Sequence, residues 1–254
     1  MIKVHRQNLR VQLMSTQHEV IIAEDNPRDR EFLSKNLNNY SLLLSSDSTN
    51  ALELALQTTT PHIITDLQMP DMNGVELARK IWQEIPSARI MFWSHYGDET
   101  YIRSLSRIIP AETVYGYILK DNPSDILNMA CHAVFSEDQC WIDKKLRPAQ
   151  SRTHTSDSAV NDMEYEVLID IALGLTDNMI AQRRYLSRRG AQNRLKSLYS
   201  KLGVTHDKDE NTNAESLNLR TRAISIAMRR GLLNNFELEQ EEQHLQQWLK
   251  QFKQ

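Results

Sequence analysis

The chain has 254 residues, enough for two ordinary domains with cores of their own. Its 30 basic and 33 acidic residues nearly cancel, so total charge points to no particular partner. Two cysteines, Cys131 and Cys140, give neither a disulfide framework nor a zinc spacing and suit a reducing compartment; with no signal-peptide core and no apolar run near the ~18 residues of a membrane span, a cytoplasmic protein without a membrane partner is expected.

Residues 1–17 are mixed and polar and read as an N-terminal extension, with "MSTQHEVIIAEDN" from Met14 an ordinary start for the domain beyond it. From there short apolar runs alternate with helical patterns. The runs are "EVIIAE" (19–24), "SLLLSS" (41–46), "HIITDL" (62–67), "RIMFWS" (89–94) and "GYILK" (116–120). Helices are expected from about Pro27, Asn50, Gly74 and Asp98, and from Pro123 to Val134. Such alternation implies parallel strands joined by crossover helices, and five repeats fit one doubly wound α/β domain of flavodoxin-like order 2-1-3-4-5. Asn26-Pro27 supplies a helix start, an N-cap type followed by proline at the first helical position.

In an open parallel sheet the ligand site lies outside the carboxyl ends of the strands. Glu24 and Asp25 end the first run and Asp66 the third, and in the order 2-1-3-4-5 those strands are neighbours. Three carboxylates in one crevice repel one another unless a cation relieves them, and Mg²⁺ favours sparse carboxylate ligation completed by water and phosphate. Ser94 ends the fourth run and Lys120 the fifth, so a hydroxyl and an ammonium reach the same rim. Together these groups suit a phosphoryl group carried on Asp66. Met69 and Met72 have no His or Cys companions at metal-binding spacing and read as loop packing.

The strings "AEDN" (23–26), "TDLQMPDMNG" (65–74), "WSH" (93–95) and "GYILKD" (116–121) resemble, in order and spacing, the receiver domain of bacterial two-component response regulators over roughly residues 18–136. The resemblance implies that Asp66 is the phosphoacceptor and a histidine kinase the donor. It implies that Glu24, Asp25, Asp66 and the Gln68 backbone carbonyl hold Mg²⁺, that Ser94 and Lys120 contact the phosphoryl oxygens, and that Tyr117 is the aromatic switch. His95 departs from the pattern, since a small residue usually follows the serine; it is read either as a surface loop residue or as one that crowds the phosphoryl site.

Residues 136–160, "SEDQCWIDKKLRPAQSRTHTSDSAV", lose periodicity, and 137–159 are expected to be a linker. Helical spacing returns in "MEYEVLIDIALGL" (163–175), with Val167, Leu168, Ile171, Ala172 and Leu175 on one face. Thr176 caps a short helix over 177–184, Tyr185-Leu186 turns, and Ser187 caps a helix to about Leu202 whose stripe is Ala191, Leu195, Leu198 and Leu202. Residues 180–204 carry Arg183, Arg184, Arg188, Arg189, Arg194, Lys196 and Lys201 with no acid, whereas an ordinary solvated helix mixes both signs. Two short helices around a tight turn, the second basic, form a helix-turn-helix able to enter the major groove.

Residues 160–204, with "EVL", "GLT", "IA", "LS" and "KLGV", resemble the LuxR/NarL-type DNA-binding domain, an all-α unit expected over 160–233. That resemblance gives base-facing roles to Gln192, Asn193 and Lys196, phosphate neutralisation to Arg188, Arg189, Arg194 and Lys201, and counts Thr176 among the DNA contacts. Gly190-Ala191 stands where Thr-Val is usual, and Arg184 where an apolar residue is usual. A long acidic link, "THDKDENTNAESLNLRT" (205–221), is expected to be mobile and precedes the last helix, "RAISIAMRRGLL" (222–233). In the tail 234–254, Leu238, Leu245, Trp248, Leu249 and Phe252 form an apolar stripe that packs on the domain or joins another subunit.

These readings converge on a phosphorylation-controlled regulator that binds double-stranded DNA, forms a homodimer, and is no enzyme beyond slow self-dephosphorylation. Two alternatives stay open. One is a signalling adaptor with a degenerate helix-turn-helix. The other is an aspartyl-phosphate phosphatase of the haloacid dehalogenase type, which wants an Asp two residues after the nucleophile, where Gln68 stands.

Overall fold

The computed structural model describes residues 18–154, 159–204 and 218–252. Its first part alternates strand and helix as β1 (Glu19–Ala23), α1 (Pro27–Asn36), β2 (Ser41–Ser45), α2 (Ser48–Leu56), β3 (His62–Thr65), α3 (Gly74–Glu84), β4 (Arg89–Ser94), α4 (Glu99–Ile108), β5 (Tyr115–Leu119) and α5 (Ser124–Ser136). The order is β2-β1-β3-β4-β5 with every pair parallel, so the first and third strands are indeed neighbours, Val20 beside His62 and Ala23 beside Thr65. Local chemistry sets the helix starts. Asn26 accepts from the Arg28 amide, Asp47 from Asn50 and Asn73 from Glu76, so α2 begins two residues before the expected Asn50. One face of the sheet buries Ile21, Ile63, Ile90 and Phe92 against α2 to α4, and the other buries Val20, Ile22, Ile64 and Met91 against α1 and α5. Met69 joins the first of these cores, as loop packing requires.

The expected linker is built into this domain over most of its length. After α5 the chain forms a sixth parallel strand, β6 (Trp141–Ile142), beside β5, with Gly116 opposite Trp141 and Tyr117 opposite Ile142. Helix α6 (Arg147–His154) then lies on α4, burying Leu146 and Ala149 in the first core. Asp143, buried, organises the turn between them by accepting from the Lys145 amide at 2.9 Å and the Asn122 side chain at 2.5 Å. Four apolar residues in a polar stretch suffice to close the β5 edge.

Among the described residues the second part is all helical, with α7 (Asp162–Ala172), α8 (Asp177–Arg183), α9 (Arg188–Lys201), α10 (Leu219–Arg229) and α11 (Asn235–Phe252). Asn161 and Glu164 form a capping box at α7. The stripe Ala191, Leu195, Leu198 and Leu202 is buried against Val167, Leu168 and Ile171 of α7, while Ala172 is only half-buried. Tyr185, in the turn between α8 and α9, has φ 53° and is exposed. Helix α10 starts at Leu219 with Asn218 as its cap, three residues ahead of the expected 222. The N-terminal extension and most of the acidic link, 205–217, lie outside the described residues, as does the Phe252 side chain.

The tail packs on its own domain. Leu245 is buried in the helical core, and Leu238, Trp248 and Leu249 lie against it. Leu245→Ala should therefore lower stability by about 2–5 kcal/mol, the range for emptying a leucine site in a core, measured by denaturant unfolding. An unchanged midpoint, with weaker association in sedimentation, would assign the stripe to another subunit instead.

Candidate phosphoacceptor site and nucleic-acid interface

The site forms where β1 and β3 end side by side. The Asp66 amide donates to the Ala23 carbonyl at 3.0 Å, so the β1–β3 ladder runs up to Asp66 and sets its side chain beside Glu24 and Asp25. Ligand atoms of these three carboxylates lie within 4.8 Å of one another. Glu24 is 1 % and Asp66 7 % exposed, and Asp25 is the most open of the three. Arg30 braces the loop, its guanidinium donating to the Glu24 and Asp25 carbonyls at 2.6 and 3.0 Å.

Lys120 enters from the end of β5. Its ammonium lies 2.9 Å from Asp66 Oδ2, 2.7 Å from Glu24 Oε2 and 2.7 Å from Asp29 Oδ2. Burial works against the charged ammonium, but the Asp66 charge and the hydrogen bonds to Asp29 and Glu24 outweigh it and raise the Lys120 pKa. Burial pushes the Glu24 carboxyl up to about 7, even against the Lys120 hydrogen bond that lowers it. One ammonium thus faces three carboxylates, and the residual negative charge of this all-oxygen donor set fits a hard divalent cation.

Asp29 is the member that sequence reading missed. It stands one helical turn after Asp25 on α1, and that spacing on the helix that follows the acidic pair is the only signal for it. Ser94 is fully buried at the end of β4, and its hydroxyl accepts from the Tyr96 amide at 3.4 Å. Tyr117 is buried, its hydroxyl donating to the Tyr96 carbonyl at 2.5 Å, and burial pushes the phenol well above its ordinary value. The Gln68 backbone belongs to the loop after Asp66, and its side-chain amide donates to the Tyr101 hydroxyl at 2.9 Å. His95 stands at the rim of the site. Its side chain is 63 % exposed, with Nε2 3.8 Å from Asp29.

Asn73-Gly74 closes the loop. The Gly74 amide donates to the Leu67 carbonyl at 3.0 Å, and a Cβ at this glycine would stand 2.0 Å from the Asp66 carbonyl oxygen. Glycine is required there for space, so that helix α3 can begin against the backbone of the candidate phosphoacceptor.

In the helical domain, α9 presents Arg188, Arg189, Gln192, Asn193 and Lys196 to solvent, with Arg194 half-buried. Gln192 reaches Asp177 at 3.3 Å. Thr176 caps α8 by accepting from the Met179 amide, beside Arg188 and Arg220 in a shallow cleft. Three of the seven basic residues are taken up internally. Arg183 and Arg184 both bind the fully buried Asp170, at 2.7 and 2.8 Å. An arginine can therefore stand where an apolar residue is usual, because α7 supplies a buried carboxylate. Lys201, expected among the phosphate contacts, lies 2.8 Å from the buried Glu164 and is 19 % exposed; it ties the end of α9 to the start of α7.

The domain that carries Asp66 is a response regulator receiver domain, whose family model matches residues 20–130. With the helix-turn-helix that follows it, the chain is similar in make-up to NarL/LuxR-type response regulators. The chain is 28 % identical over 226 residues to the transcriptional regulatory protein YdfI of Bacillus subtilis (strain 168), covering 85 % of this chain and 98 % of that one. It is 29 % identical over 168 residues to the nitrate/nitrite response regulator protein NarL of Escherichia coli (strain K12), covering 62 % and 74 %. A solved structure of two RcsB dimers bound to two parallel DNAs is similar at TM-score 0.53 and 25 % identity, over 75 % of this chain and 94 % of that one. Among the described residues no helix is long and apolar enough to cross a membrane.

Proposed function

We infer that the protein is a phosphorylation-controlled, DNA-binding transcription regulator of the cytoplasm, with a receiver over 18–154 and an output domain from 159 onward. The observation that carries this reading is the buried Asp66–Lys120 pair among three further carboxylates at a strand end, on the same chain as a helix-turn-helix with an open basic and amide face. A histidine kinase is the donor. The Asp66 carboxylate attacks phosphorus, a P–O bond forms, the P–N bond to the kinase imidazole breaks, and the imidazole leaves with its electron pair and takes up a proton. Glu24, Asp25, Asp66 and the Gln68 carbonyl would hold Mg²⁺, which supplies charge neutralisation at the phosphoryl oxygens. Ser94 and Lys120 are the residues for those oxygens, and Tyr117 for sensing them. Phosphorylation shifts an existing equilibrium toward a homodimer on two half-sites. The phosphatase alternative loses ground because Gln68 has no carboxyl and gives its amide to Tyr101. The protein acts as a phosphoacceptor with at most slow self-dephosphorylation.

The test that separates regulator from adaptor is selection of duplexes from a random pool by the phosphorylated protein, repeated across a salt series. A motif should emerge, and Gln192→Ala should relax one position at a cost of about 1–3 kcal/mol. Arg188→Ala, Arg189→Ala or Arg194→Ala should each flatten the log affinity against log salt slope by about 0.9 per contact. Lys201→Ala should lower stability and leave the slope alone, because its ammonium serves Glu164. Binding that vanishes at moderate salt with no motif would install the adaptor reading.

A further inference from the structure

The two domains meet along α4. Arg103 and Arg107 pair with the exposed Asp162 at the start of α7, Arg103 also donating to the Val160 carbonyl, and the first turn of α4 carries a second, more buried polar set. Thr100 is buried, its amide donating to the Gly231 carbonyl at 2.9 Å. Its hydroxyl lies 2.6 Å from the Tyr165 hydroxyl, 3.0 Å from the Leu232 carbonyl and 3.1 Å from Glu237 Oε2. The Tyr165 hydroxyl in turn donates to Glu237 Oε2 at 2.6 Å. One residue earlier Glu99, buried, pairs with Arg230 at 2.9 Å. The chain between α10 and α11 can press this closely because residue 231 is glycine, with φ 66° and the site of a Cβ only 2.8 Å from Asp98 Oδ1.

Glu237 lies in the first turn of α11, and its single carboxylate thereby binds the receiver through Thr100 and α7 through Tyr165. One turn further along, Glu241 binds Arg183 of α8 at 3.0 Å, and Leu245 anchors the helix in the output core. A half-buried carboxylate held by two hydroxyls rather than by a direct ion pair is poorly compensated for its lost hydration. Water can replace each of these hydrogen bonds when the surfaces part, and interfaces of this polar kind open more readily than apolar ones.

We propose that α11 is a clasp that docks the output domain on α4 of the receiver, with Glu237 as its shared latch and Glu99–Arg230 as a second. Breaking both latches leaves the Arg103 and Arg107 contacts to Val160 and the exposed Asp162, ion pairs of a kind worth little in water. The domains therefore part while each keeps its own fold, because Leu245 still holds α11 on the helical core. The clasp concerns docking and requires only the contacts above; its meaning for signalling rests on the response-regulator reading. In the docked form Arg188, Arg189, Gln192, Asn193 and Lys196 stay exposed, so the clasp fixes where the DNA-facing helix is carried and does not cover it.

The test is small-angle scattering on the full chain carrying Glu237→Ala with Arg230→Ala, beside a second pair, Thr100→Val with Glu99→Gln, which leaves the output domain untouched. Both pairs should raise the radius of gyration by more than a tenth above the roughly 18 Å of a compact chain of this length. Glu241→Ala, which has no part in the α4 contact, should leave it unchanged. Unchanged dimensions in both pairs, with native circular dichroism, would overturn the clasp, and so would expansion in Glu241→Ala alone. Labelling of Asp66 by acetyl phosphate is read on the same samples. Its absence in the parent chain would fault the phosphoacceptor reading and leave the scattering result intact.

Discussion

Asp66→Asn should take up no phosphoryl group from acetyl phosphate and Mg²⁺, yet fold at least as stably as the parent. The nucleophilic oxygen is gone, so incorporation falls to background. Stability holds because Lys120 keeps Glu24 and Asp29 at 2.7 Å each, and the site loses one of the negative charges that crowd it. Lys120→Met should do the reverse. It leaves Glu24, Asp29 and Asp66 facing one another without their ammonium, and removing one partner of a buried ion pair costs about 3–5 kcal/mol. At about 2–4 °C per kcal/mol for a chain of this size, Tm should fall by roughly 10 °C. Added Mg²⁺ should return part of that loss, since a ligand bound only by the folded state stabilises it by mass action. Calorimetry with and without Mg²⁺ checks the pair of variants. A Lys120→Met protein as stable as the parent, and indifferent to Mg²⁺, would mean that the three carboxylates do not form one charge cluster.

The second large effect belongs to a residue with no side chain. Gly74→Ala places a methyl group 2.0 Å from the Asp66 carbonyl oxygen, 3.0 Å from its carbonyl carbon and 3.1 Å from Thr65 Oγ1. Two of these neighbours are backbone and cannot rotate away. Either α3 backs off from β3 and gives up the Gly74 amide bond to Leu67, or β3 shifts and carries Asp66 out of line with Lys120. Overpacking of this kind costs about 1–3 kcal/mol, and Tm should fall by roughly 3–10 °C. Phosphoryl uptake should fall with it, because the strain lands on the reacting residue. Uptake at the parent rate in a fully folded Gly74→Ala protein would show that the loop absorbs the methyl without disturbing Asp66.

The five alternating repeats were legible because each strand is a continuous apolar run and each helix has a turn or cap ahead of it. Glu24, Asp25, Asp66, Ser94 and Lys120 could be named together because they occupy one kind of position, the carboxyl end of a strand. Asp29 lies on a helix, where a single acid is ordinary, and only the fold brings it to Lys120. Trp141–Ile142 is too short for a period to show, and "RPAQSRTH" offers Ala149 as its sole apolar residue in α6. The seven basic residues of 180–204 were countable, but their partners Asp170 and Glu164 lie on α7, outside that window, so three of them looked free when they are not. The contacts of Thr100 with Tyr165 and Glu237 span 65 and 137 residues, a separation that no local pattern encodes.

The brevity of β6 also bears on the order in which the receiver comes apart. A strand of two residues, seated at the sheet edge beside β5 and backed by Leu146 and Ala149, has little of its own to hold it. Such a segment opens locally at a free energy far below that of global unfolding, while β1, β3 and β4 stay closed until the whole sheet is lost. Its opening releases the Tyr117 carbonyl, which accepts the Asp143 amide at 2.9 Å in the closed form. The Asp143 amide is therefore a natural hydrogen-exchange reporter on the strand that carries Tyr117 and leads to Lys120, exchanging at the rate of this small foldon rather than that of the protein.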